Sequence, residues 1–194
     1  MRLGVFGGSF DPVHIGHLIL AAVMADETRL DRVLFIPARI APHKQDLEHA
    51  SGEHRFEMLR LAVADYPGFS ASDLELRREG VSFTADTLRV LHAAPESRDA
   101  DLYLLMGMDT LLDLPNWHQP DDVARLARFL VAKRPDHNAN LAEDRFLRNA
   151  TIVHTPSIGI SSSEIRARVR EGKSIRFWVP GPVERFIFER GLYR

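Results

Sequence analysis

Two imidazoles three residues apart, His14 and His17, stand just beyond a short apolar run that ends in paired glycines. The segment reads Gly7-Gly8-Ser9-Phe10-Asp11-Pro12-Val13-His14-Ile15-Gly16-His17. Paired glycines let a backbone turn tightly and come close to a ligand. With Gly16 and His17 opening a helix, its free N–H groups and the positive end of its dipole face the same way as both rings. That combination suits phosphate, which accepts hydrogen bonds from imidazole and backbone N–H alike. A strand-exit turn with two surface histidines explains any one of these features, and a lone His-x-x-His also suits a metal. A phosphate site explains them together. No Gly-x-Gly-x-x-Gly follows the strand and no Gly-Lys-Ser/Thr is present, so neither a Rossmann fingerprint nor a Walker loop fits.

Other residues with the same capacity lie further along. Pro37-Ala38-Arg39-Ile40-Ala41-Pro42-His43-Lys44 is stiffened by two prolines and ends in a point charge suited to phosphate, although a solvated lysine is the plainer explanation. Ser82 and Thr84 begin a helical stretch, where either fits a cap. Asp109, in Gly107-Met108-Asp109, suits a helix cap or a ribose hydroxyl. Trp117, in Asn116-Trp117-His118, is either a core plug or a flat face for a heterocycle. Arg134 closes a later apolar run. In Ile160-Ser161-Ser162-Ser163-Glu164-Ile165-Arg166, Ser161 and Glu164 fit a capping box. Arg166, one turn on, makes a second anion-binding helix start, from which Glu164 should point away.

These residues need a scaffold that presents them together. Apolar runs at Arg2–Phe6, Val33–Ile36, Phe69–Ser72, Leu102–Met106, Phe129–Ala132 and Thr151–His154 predict strands. Helical spacing predicts helices over about His17–Leu30, with Leu18, Ala21, Ala22 and Ala25 on one face, and over Gly52–Tyr66, with Phe56, Leu59 and Val63 inward and Ser51 as N-cap. Further helices are predicted near Ala85–Ala94, Ser162–Glu171 and Val183–Arg190. The alternation implies an α/β fold, a Rossmann-like doubly wound parallel sheet with helices on both faces. In such sheets ligands bind beyond the carboxyl ends of the strands, where strand order reverses.

Composition sets the outer limits. The chain has 194 residues, 45% apolar and 27% charged, which suits one domain with a sizeable core. With 25 basic and 27 acidic residues the net charge is −2, which removes a bulk electrostatic case for nucleic acid or an anionic membrane. Without cysteine there is no disulfide, thiolate nucleophile or Cys-ligated metal. The longest apolar run, Leu18–Ala25, is far short of a membrane span, and the first residues lack a signal-peptide pattern, so a soluble cytoplasmic protein is expected. Phe186, Ile187 and Phe188 fit either a core or the interface of a homo-oligomer.

The motif Gly-Gly-Ser-Phe-Asp-Pro-x-His-x-Gly-His resembles the signature of the nucleotidylyltransferase superfamily, whose His-x-Gly-His element binds ATP. His14-Ile15-Gly16-His17 is also similar to class I aminoacyl-tRNA synthetases, but the length leaves no room for a tRNA-reading domain and no Lys-Met-Ser-Lys-Ser loop is present. Together with Pro-His-Lys, Ser-Phe-Thr-x-Asp-Thr-Leu, Gly-x-Asp, Asn-Trp-His and Ile-Ser-Ser-Ser-x-Ile-Arg in this order, nearly the whole chain resembles the bacterial nicotinate-nucleotide adenylyltransferase family. The resemblance implies a single nucleotidylyltransferase domain over 1–194, with the helical part from about 160 completing the ATP site. It implies ATP at Gly7, Gly8, Ser9, Phe10, His14, His17, Gly107, Asp109, Arg134, Ile160, Ser161, Ser162 and Arg166. Nicotinate mononucleotide would lie at Lys44, Thr84, Trp117 and His118. Three positions depart from the family's habit: Phe83 and His118, where tyrosine is common, and Ser163, where threonine is.

The implied reaction joins nicotinate mononucleotide to ATP, giving deamido-NAD and pyrophosphate. The attacking 5′-phosphate, with a second pKa of about 6, is already an anion near neutral pH, and no residue pair suggests a general base. Catalysis would rest on positioning and electrostatics. His17 would serve the α-phosphate, His14 and Arg166 the leaving group, and Lys44 the incoming mononucleotide. Mg²⁺ would travel with ATP, carried mainly by its oxygens and water. Backbone N–H groups at Thr84 and His118 suit a nicotinate carboxylate and would meet an amide donor with donors. The rival readings are another nucleotidylyltransferase, with a nicotinamide mononucleotide or phosphopantetheine acceptor, and a non-catalytic nucleotide sensor.

Overall fold

The computed structural model describes residues 1–39, 50–133 and 142–194. Strands β1 (Arg2–Gly8), β2 (Arg32–Pro37), β3 (Phe69–Ala71), β4 (Asp101–Gly107), β5 (Arg128–Lys133) and β6 (Ala150–His154) form one sheet in the order β3-β2-β1-β4-β5-β6. Every neighbouring pair is parallel. Among the described residues the helices are α1 (Ile15–Thr28), α2 (Gly52–Val63), α3 (Thr84–Ala93), α4 (Met108–Asp113), α5 (Pro120–Leu126), α6 (Asp144–Leu147), α7 (Ser162–Arg170) and α8 (Gly181–Glu189).

The strands read as continuous apolar runs because both faces are covered. Successive side chains point to opposite faces, so Phe6, Tyr103 and Leu105 join one core with Met24 of α1, Met58 of α2, Ile165 of α7 and Ile187 of α8. Val5, Leu104 and Met106 join a second core with Leu88 of α3, Leu111 of α4, Val123 of α5 and Phe146 of α6. The doubly wound parallel sheet is therefore as expected. Ile187 is fully buried and Phe186 packs against the first core, whereas Phe188 is 40% exposed.

Strand order reverses between β1 and β4. Their pairing runs only from Arg2↔Asp101 to Val5↔Leu104, yet β1 continues to Gly8 and β4 to Gly107. Each stays paired on its other side, Gly8 with Pro37 and Gly107 with Ala132. The two carboxyl ends thus part, and a crevice opens where such sheets bind ligands.

Several local expectations are corrected. Helix α1 begins two residues before His17, and α2 stops at Val63 rather than Tyr66. The buried stripe of α1 is Ala21, Met24 and Ala25, and that of α2 is Arg55, Met58, Leu59 and Val63, with Phe56 only half-buried. Ser51 caps α2 as predicted, accepting from the His54 N–H at 3.2 Å. Helices α4, α5 and α6, of six, seven and four residues, are too short for a periodic apolar pattern to reveal.

Candidate active site

The first loop leaves β1 at Gly8 and enters α1 at Ile15. No described atom lies within 4 Å of where a side chain on Gly7 would begin, so its outer face is open. Phe10 takes a left-handed conformation, φ 46°, and its ring is 1% exposed, packed edge-on against Phe6 at 5.4 Å and His17 at 5.1 Å. Its side chain is therefore a core anchor, and only its backbone remains to face a nucleotide. His14 is the N-cap of α1 and is buried; its ring stacks on that of His17 at 3.7 Å. A side chain at Gly16 would meet the His14 ring at 3.0 Å, so the glycine between the histidines is what lets them stack. The His14 backbone N–H donates to Nδ1 of His17 at 3.2 Å. In a neutral imidazole this places the proton on Nε2, which makes the outer nitrogen a donor.

The end of the chain closes over this loop. Ser161 Oγ accepts from the Glu164 N–H at 3.2 Å and so caps α7, the Ser161 half of the expected capping box, with Glu164 exposed. Ser162 Oγ donates to the Pro12 carbonyl at 2.9 Å, and Ile160 packs on the first core. Arg166 donates from Nη1 to the Asp11 carbonyl at 2.7 Å and from Nη2 to Ser163 Oγ at 3.3 Å. The Ile15 N–H donates to the Trp178 carbonyl at 2.9 Å. Asp11 is 1% exposed, and its Oδ1 accepts from the Tyr193 hydroxyl at 2.6 Å and the Ala50 N–H at 3.2 Å. Burial and the Asp11 charge push the Tyr193 pKa well above the ordinary tyrosine value, so the hydroxyl keeps its proton and donates.

A buried guanidinium braces the loop from below. Arg55 is 5% exposed and donates to four carbonyls: Ala50 at 3.1 Å, Ser9 at 2.8 Å, Ala38 at 2.7 Å and Arg39 at 3.3 Å. A buried charge is tolerated only when so bonded. Burial pulls its pKa down, with Asp11 opposing. The planar fork joins the loop after β1, the end of β2 and the start of α2 in one plane of hydrogen bonds.

Across the crevice, α4 starts directly on β4, so Asp109 lies in a helical first turn rather than a loop, and its side chain makes no cap. Its carboxylate folds back over Gly107, where any side chain would collide with Asp109 Oδ1. Further along the same wall, Phe83 is the N-cap of α3 and neither Ser82 nor Thr84 caps it. Ser82 Oγ instead accepts from the Arg39 N–H at 3.0 Å. The Phe83 and His118 rings lie 4.3 Å apart, bringing Thr84 and His118 to one place. Among the described residues, no partner takes the backbone N–H of either. Trp117 is half-buried and packs against the second core. Beneath this wall, buried Glu75 accepts from the Thr87 hydroxyl at 2.6 Å. Burial pushes its carboxyl pKa up, while Thr87, Ser82 and Arg78 oppose the rise.

Lys44 and Arg134 lie outside the described residues. Among the described residues no three His, Cys, Asp or Glu side chains converge as a metal site, and no helix is long and apolar enough to cross a membrane. The bracing residues Asp11, Arg55, Glu75 and Tyr193 had no role in the sequence reading. Arg55 alone carried a signal, an arginine spaced with Met58, Leu59 and Val63 on the inward face of a helix.

Comparison with known proteins agrees with this geometry. The cytidylyltransferase-like family matches the chain over residues 5–168. A protein of Thermomicrobium roseum named "probable nicotinate-nucleotide adenylyltransferase" is 45% identical, covering 100% of this chain and 92% of its own length. One of the same name from Salinibacter ruber is 41% identical, with coverages of 100% and 98%. The solved Plasmodium falciparum nicotinic acid mononucleotide adenylyltransferase complexed with NaAD superposes with a TM-score of 0.79 over 99% of this chain and 97% of that one. At 18% identity it speaks for the fold alone. A split parallel sheet, a braced His-x-Gly-His loop and near-full-length identity above 40% lead to one conclusion: this chain belongs to the nicotinate-nucleotide adenylyltransferase family, within the cytidylyltransferase-like group.

Proposed function

We propose that the chain transfers the adenylyl group of ATP to nicotinate mononucleotide, giving deamido-NAD and pyrophosphate, as a step of NAD biosynthesis in the cytoplasm. One observation carries the reading: the stacked pair His14–His17 and the α7 start with Arg166 are bonded into a single loop at the carboxyl end of β1, where β1 and β4 part. ATP would lie along Gly7–Phe10, the α7 start from Ile160 to Arg166, and Gly107 with Asp109. On this reading the C-terminal segment completes the ATP site. Residues 134 and 44 would add cations from outside the described residues.

The mononucleotide phosphate attacks the α-phosphorus in line, and the bond to the pyrophosphate oxygen breaks. The nucleophile is already ionised, so the protein moves no proton. Its task is to bring two polyanions together and stabilise the leaving charge. His17 donates from Nε2 to the α-phosphate, while His14 and Arg166 face the leaving pyrophosphate. Mg²⁺ brought in with ATP would be held mainly by nucleotide oxygens and water and would offset charge on the departing pyrophosphate. Thr84 and His118 offer backbone N–H groups to the pyridine carboxylate, so Phe83 and the His118 side chain need supply only packing.

A panel of acceptors with ATP and pyrophosphate detection tests this. Nicotinate mononucleotide should be consumed well ahead of its amide counterpart and of phosphopantetheine. Turnover with phosphopantetheine alone, or pyrophosphate release from none, would replace the reading with a rival transferase or a nucleotide sensor.

A further inference from the structure

We propose that Tyr193 is a positioning residue for ATP: by holding the Asp11 carboxylate, it keeps the Arg166 guanidinium available to the triphosphate instead of closed onto Asp11 in a two-bond, hydrogen-bonded pair. The inference rests on the reading of the chain as an ATP-dependent transferase. A guanidinium and a carboxylate side by side, both poorly solvated, close into a two-bond pair unless other donors hold the carboxylate. Here Asp11 is 1% exposed and the Arg166 side chain 16%. Yet Arg166 Nη1 stands 3.7 Å from Asp11 Oδ2, too far for a hydrogen bond. The same nitrogen is held instead by the Asp11 carbonyl at 2.7 Å. The carboxylate is turned the other way, with Oδ1 on the Tyr193 hydroxyl at 2.6 Å and the Ala50 N–H at 3.2 Å. Arg55 adds a second positive charge near Asp11 and Tyr193 without taking Arg166's place.

Removing the hydroxyl deletes the shortest of these bonds and frees the carboxylate to rotate onto Arg166. The N–H groups meant for the triphosphate are then taken up by hydrogen bonds within the protein. The Tyr193 ring packs against the first core, and phenylalanine keeps that packing. The consequence should therefore fall on the nucleotide and spare the other substrate.

Calorimetry on the full chain, with a non-hydrolysable ATP analogue and with nicotinate mononucleotide separately, tests this in Y193F, R166Q and the double variant. Y193F should weaken the analogue about tenfold, the loss expected when a bond to a charged group goes. It should leave the mononucleotide within about twofold, and in the R166Q background it should cost less than about twofold. An unchanged analogue affinity, equal weakening of both ligands, or additive losses in the double variant would each overturn the proposal. A parent chain that binds the analogue yet adenylylates no nicotinate mononucleotide would refute the proposed function while leaving this comparison decisive; one that binds no analogue would refute both.

Discussion

The first loop is braced by bonds that span almost the whole chain: Ser162 to Pro12, Arg166 and Tyr193 to Asp11, Arg55 to Ser9. The opposite wall, Phe83–Thr84 against Trp117–His118, has one ring contact and two backbone N–H groups. On the proposed function, the first wall would work with side chains whose positions are over-determined, because it would have to hold a flexible polyanion at fixed geometry. The second would read a flat ring with its backbone, which leaves its side chains freer to vary. On that reading, two of the three departures expected from the resemblance, Phe83 and His118, lie on the second wall, while Ser163 keeps a hydroxyl that accepts from Arg166.

Substitutions should separate the walls. H17A, on the braced wall, should lower turnover by about 10²–10³, as for other preorganised donors, with fold and mononucleotide binding intact. Pyrophosphate release under saturating substrates measures it, and near-normal turnover would break the distinction. R55M should leave four carbonyls short of a donor and lower unfolding free energy by about 3 kcal/mol, read by denaturant titration. A loss no larger than that of a surface arginine would mean the brace is slack.

The second wall should respond more gently. Glu75 lies beneath it with a pKa raised by burial, so the folded state binds its proton more tightly than the unfolded one. Its contribution to stability is greatest below the unfolded value near 4.5 and falls as pH rises through the folded pKa. E75Q should therefore raise the thermal midpoint at pH 7, by about 2 °C, with the gain vanishing toward pH 4. A gain that persists at pH 4 would assign the effect to packing. The smallest change is expected for H118Y, within about threefold in kcat/KM for the mononucleotide, as befits an exposed side chain. A tenfold loss would show that this wall also reads with its side chains.

The sheet was legible because six apolar runs alternate with amphipathic stretches, and a parallel sheet covered on both faces demands that pattern. The histidine loop and the α7 start could be singled out because their residue types suit anions locally, and the fold brings the two together. The braces were not legible, since the bonds that tie the first loop to the rest of the chain join residues far apart in sequence, from 46 positions for Arg55–Ser9 to 182 for Tyr193–Asp11, and their logic appears only when the chain is folded. Asp11 stood inside the quoted motif without a role because its partners, Ala50, Arg166 and Tyr193, are remote. Phe10 shows what a sequence motif leaves open, a loop residue in a left-handed conformation whose ring goes into the core and whose backbone stays in the loop.

The most direct test is a crystal structure with a non-hydrolysable ATP analogue bound. The triphosphate should lie over Gly7–Phe10, within hydrogen-bonding reach of His17 Nε2 and of Arg166. A triphosphate seated at the other end of the sheet, or in the crevice but out of reach of both, would contradict the assignment of this loop as the site of adenylyl transfer.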